Sequence, residues 1–120
     1  MTDTAHLYAV TLDCRDPQAL GEFYREVTGW EVVHDSEDYY YLSDGGPVRL
    51  GFQRVARHAT PGWPDDAKQF HLDFTVRDRR EAEARLLELG ATKPEFQPGG
   101  EMATVLRDPA GHPFCITDAL

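Results

Sequence analysis

Tyr8-Ala9-Val10-Thr11-Leu12-Asp13-Cys14-Arg15-Asp16-Pro17 decides the fold, because its pattern returns in the second half as Phe70-His71-Leu72-Asp73-Phe74-Thr75-Val76-Arg77-Asp78. Each stretch alternates. Val10, Leu12 and Cys14 fall on one side, with Ala9, Thr11 and Asp13 on the other. Leu72, Phe74 and Val76 likewise oppose His71, Asp73 and Thr75. That is the signature of a half-buried strand. An Arg-Asp pair closes each strand and opens a helix. Asp16 is a cap followed by proline in the first turn, where the missing N–H costs nothing. Asp78 is a cap with Glu81 three residues on, a capping-box arrangement. Leu20, Phe23, Tyr24 and Val27 make one apolar helical face, and Ala82, Leu86 and Leu89 the other. Gly29 and Gly90 stop the two helices.

Outward from these helices the signals stay in step. Strands are expected at 31–34, 39–42 and 48–55 in the first half, and at 92–96, 103–107 and 114–118 in the second. Asp44-Gly45-Gly46 turns the first half, and Asp108-Pro109-Ala110-Gly111 turns the second. The chain therefore reads as α+β, with two diverged β-α-β-β-β modules in one 1–120 domain. Module one covers about 6–55, a linker 56–68 and module two about 69–118. The linker has two prolines, a glycine and no periodicity. Trp63 within it either pins the loop to the body or walls a pocket.

Composition narrows the partners. The 120 residues hold 12 basic and 21 acidic side chains, a net charge of −9. That sign repels phosphate backbones, and no basic stripe offsets it, so nucleic-acid binding is excluded. A cationic ligand is electrostatically welcome. No apolar run is long enough to span a membrane. The start, Met1-Thr2-Asp3-Thr4-Ala5-His6, has no basic stretch leading into an apolar one, and the two cysteines lack metal-type spacing. Free thiols and a cytoplasmic location are expected.

The chain resembles the vicinal oxygen chelate superfamily, which holds glyoxalase I, bleomycin-resistance proteins and extradiol dioxygenases. The resemblance rests on Asp16-Pro17-x-x-Leu20, then Phe23-Tyr24 and Gly29-Trp30 in the first half. In the second it rests on His71 to Asp78, Leu89-Gly90-Ala91, and Asp108-Pro109-Ala110-Gly111-His112-Pro113-Phe114-Cys115. It covers roughly 6–118, and its nearest flavour is the glyoxalase-like group. It implies a curved mixed sheet around a cleft, helices outside, and a homodimer. Parity then sends Thr11, Asp13, His71, Asp73, Thr75, Cys115 and Thr117 toward the cleft.

The resemblance also implies a divalent metal, with one ligand from the first and one from the last strand of each module. The matching positions are Ala9, His71, Cys115 and Gly51, with Gln53 one alternation further along. Alanine and glycine offer no donor, and a lone thiolate suits soft metals. No cofactor is expected at the inherited place. His71 is the single ordinary ligand there, and a site rebuilt from His71 with Asp73, Asp13 or Gln53 is the alternative. His71 is the candidate catalytic residue, as an acid or base oriented by Asp73 or Asp13. Otherwise it contacts a ligand or serves structure. The Tyr39-Tyr40-Tyr41 run has two faces, one for core and one able to stack on a planar ligand.

Three functions remain. The first is a small-molecule binding protein of the sequestration or resistance kind with a degenerate metal site. Its ligand-binding cleft is Thr11, Asp13, Gln53, Trp63, His71, Asp73, Thr75, Cys115 and Thr117. The second is a metal-dependent or His-based lyase, isomerase or dioxygenase. The third is an interaction module without a ligand.

Overall fold

Alternation is visible in the burial of the first strand: Leu12 and Cys14 are buried, Asp13 exposed. The structure is a computed structural model and describes residues 7–59 and 71–118. The chain divides into two units, Met1–His58 and Ala59–Leu120.

In the first unit, β1 (Ala9–Cys14) leads to α1 (Pro17–Thr28), then β2 (Glu31–Asp35), β3 (Tyr39–Ser43) and β4 (Arg49–Arg54). The sheet runs β1-β4-β3-β2, with β1 parallel to β4 and the other pairs antiparallel. Asp16 caps α1 through Ala19 N at 3.1 Å, and Gly29 ends it at φ +71°. Leu20, Phe23 and Tyr24 turn inward from α1. The Tyr24 ring stacks on Phe52 at 5.4 Å, and Tyr40 meets Phe52 at 6.4 Å. Gly21 lets the helix close onto the sheet, since a Cβ there would strike the Tyr40 ring. Burying such aromatic side chains contributes about 1.5–3 kcal/mol each.

In the second unit, β5 (Leu72–Val76) leads to α2 (Arg79–Glu88), β6 (Thr104–Arg107) and β7 (Pro113–Asp118), with sheet order β5-β7-β6. Asp78 caps α2 through Glu81 N at 3.1 Å. Leu106, Phe114 and Ile116 form the core with Leu86 from the helix; Ala82 and Leu89 are half-buried. The expected strand at 92–96 is corrected. Only Thr92 bridges, to Arg107. Pro94 has no N–H for a ladder. Gln97 takes the strand's place: its side-chain oxygen accepts from Val105 N at 2.8 Å and its amide donates to Val105 O at 3.0 Å. Among the described residues no helix is long and apolar enough to cross a membrane.

Candidate functional site

The helix-free face of the first sheet is set by strand register. Tyr41 pairs with Gly51 and Gly51 with Thr11; Tyr39 pairs with Gln53 and Gln53 with Asp13. Paired residues share a face, so these two rows run side by side. Gly51 has a structural reason to be glycine. Its missing Cβ leaves the space in which the Tyr41 ring lies, and the hydroxyl of Thr11 borders the same space. Tyr39 stacks parallel to Tyr41, with centroids 6.1 Å apart and planes 8° from parallel. The Gln53 amide donates to the Tyr39 hydroxyl at 3.2 Å. Tyr39 stays partly exposed, as does Gln53, and Asp13 is open to solvent. The result is a pair of near-parallel aromatic rings edged by amide, hydroxyl and carboxylate groups.

The second unit carries the titratable group. Register places Asp73 beside Cys115 and Thr75 beside Thr117, with Val105 beyond Cys115. His71 lies one strand repeat from Asp73, and its Nε2 is 3.3 Å from Asp73 Oδ1. Burial pushes the Cys115 thiol's pKa up from its ordinary 9.0, and the Asp73 charge and a hydrogen bond to that carboxylate push it the same way. The thiolate is the nucleophilic form, so this environment opposes a Cys115–His71 nucleophile. Trp63 lies outside the described residues.

Sequence reasoning had no means of finding Arg49, His34 and Tyr8 as neighbours on the first sheet's open face. Arg49 Cζ lies 4.7 Å from the Tyr8 ring centroid, and the His34 ring meets Tyr41 at 5.9 Å. His34 arrives there through a β-bulge after Val32, which no composition signal marks.

The inherited metal positions can now be tested against the residues that hold them. Ala9 and Gly51 carry no donor, and the Tyr41 ring fills the space beside Gly51. The residues do not fit the two-module centre. The two inherited positions of the second unit, His71 and Cys115, do converge with Asp73 there: donor atoms of the three all lie within 4.8 Å of one another.

Paired βαβββ signals, two mixed sheets and a remnant of a metal-ligand pattern define a class. The sequence matches the glyoxalase-like domain family over residues 9–117, and the chain belongs to that family, within the vicinal oxygen chelate superfamily. Solved structures agree on the fold. A glyoxalase/bleomycin resistance protein/dioxygenase family enzyme from Burkholderia phytofirmans PsJN is 24% identical, with a TM-score of 0.69 over 97% of this chain and 100% of that one. A glyoxalase-related enzyme from Fulvimarina pelagi is 23% identical, with a TM-score of 0.68 over 95% and 88%. The fosfomycin resistance protein FosX from Mesorhizobium loti is 16% identical, with a TM-score of 0.68 over 100% and 94%. Such identities carry the fold alone. No curated protein matches the sequence.

Proposed function

We propose that this chain is a small-molecule binding member of its family, taking a planar aromatic ligand on the Tyr39–Tyr41 surface without the inherited metal. One observation carries the reading. Gly51, at a position where a metal ligand would be inherited, instead makes room for the Tyr41 ring, which stacks with Tyr39. A ring laid on Tyr39 or Tyr41 gains apolar burial and stacking, and Gln53, Thr11 and Asp13 offer hydrogen bonds at its edge. Calorimetric titration of planar aromatic compounds in the presence of a chelator tests it. Binding that survives the chelator and is lost in Tyr41→Leu supports the reading. Binding that requires added metal overturns it.

A second reading, a metal-dependent lyase, isomerase or dioxygenase, is favoured by the His71–Asp73–Cys115 convergence. A borderline ion such as zinc accepts this mixed N, O and S set and would keep positions open for substrate. A stoichiometric ion in purified protein that disappears in His71→Ala would put this reading first.

A further inference from the structure

Arg49 is the group on the first sheet's open face that stacking alone leaves unused. It stands on β4 on the same side as Gly51 and Gln53, half-buried. Its guanidinium covers the Tyr8 ring, and its backbone N donates to Tyr8 O at 2.9 Å. Among the described residues no carboxylate lies within ion-pair reach of it. In a chain with 21 acidic side chains and 12 basic ones, a half-buried cation without such a partner is out of proportion.

Arg49 lines a pocket of about 190 Å³ together with Tyr8, Val33, His34 and Tyr41. The bulge shapes it. Unbulged pairing would set Val33 opposite Tyr41, but the register shift sets His34 there. The pocket is smaller than the roughly 300–1,000 Å³ of a whole-ligand site. It fits an end group, and Tyr41 belongs both to its wall and to the stack with Tyr39.

We infer that this pocket takes a carboxylate, and hence that the ligand of the aromatic surface is an aromatic carboxylate. The inference rests on the planar-ligand reading above and names its ligand class. A guanidinium presents a planar fork that matches a carboxylate with two parallel N–H donors. Tyr8 and Tyr41 line the pocket beside Arg49, and the Tyr8 ring under the guanidinium holds that fork in place. The chain's net charge of −9 favours cations only at long range. That field is screened within about 8–10 Å at ordinary salt, so contact with Arg49 decides.

The test is calorimetric titration of the full chain, in chelator, with 1-naphthoate, 1-naphthalenemethanol and 1-naphthylmethylamine. Naphthoate is expected to bind about tenfold or more tighter than the alcohol. Arg49→Gln is expected to abolish that difference between naphthoate and the alcohol, and Arg49→Lys to keep part of it. Arg25→Gln, which removes a charge on α1 paired with Glu22 at 3.2 Å, is expected to leave naphthoate binding intact. Equal binding of naphthoate and alcohol, an Arg49→Gln variant that keeps the preference, or tightest binding by the amine would overturn the carboxylate inference and leave the aromatic surface standing. Binding by none of the three would overturn both.

Discussion

The ring of Tyr41 lies over the backbone of Gly51 on the neighbouring strand, in the space a Cβ would take. A tyrosine on β3 and the absence of a side chain on β4 therefore form one feature. Together they turn a sheet face into an aromatic surface.

Gly51→Ala is expected to destabilise the protein by about 1–3 kcal/mol, because the Tyr41 ring must move out of a packed site. Adding Tyr41→Ala should recover part of that loss, since residues in contact are not additive. Urea midpoints of the two single variants and the double variant measure it. Additive costs would mean that the ring does not occupy that space in solution.

Asp73 raises the Cys115 pKa by charge and by hydrogen bonding, beside the larger effect of burial. Asp73→Asn is expected to lower it toward its ordinary value of 9.0 and speed iodoacetamide alkylation of Cys115 near pH 8. Cys14, 1% exposed, should stay slow in both proteins. Peptide mass mapping of the alkylated thiols gives the two rates.

Alkali should weaken the fold. Tyr40 has its pKa raised above the ordinary 10.0, first by burial and then by its hydroxyl's bond to Glu22, and Cys115 is raised above 9.0. Both are acids whose neutral form the fold prefers. Their contribution is whole below the unfolded pKa values and is lost as pH rises past them. The urea midpoint should fall between about pH 8 and about pH 11, and Tyr40→Phe should flatten that fall.

Gln97→Ala is expected to cost about 1–3 kcal/mol, because the N–H and C=O of Val105 lose their side-chain partner together. Gln97→Glu should also destabilise, since a carboxylate cannot donate to Val105 O. Thermal melts of both variants against the parent check the pair.

Much of this was legible in the chain. Alternation in 8–14 and 70–76, and the caps Asp16 and Asp78, located the strands and both helices, because those signals are local. Parity groups Thr11 with Asp13 and Asp73 with Thr75, since side chains on a strand repeat every two residues, and the register sets Asp73 beside Cys115 and Thr75 beside Thr117. The strand at 92–96 was misread because one side chain, Gln97, outcompetes backbone pairing from a neighbouring segment, and Pro94 cannot donate.

By itself, then, the sequence determined the α+β class, the repeat, the helix boundaries and the loss of donors at Ala9 and Gly51. Those depend on local periodicity and on residue identity alone. Only the tertiary structure decided that Tyr41 fills the space at Gly51, that a bulge turns His34 onto the face of Tyr41, that Arg49 rests on Tyr8, and that His71, Asp73 and Cys115 converge. Each of these depends on which residues strand register sets side by side, a relation between distant segments that no local pattern encodes.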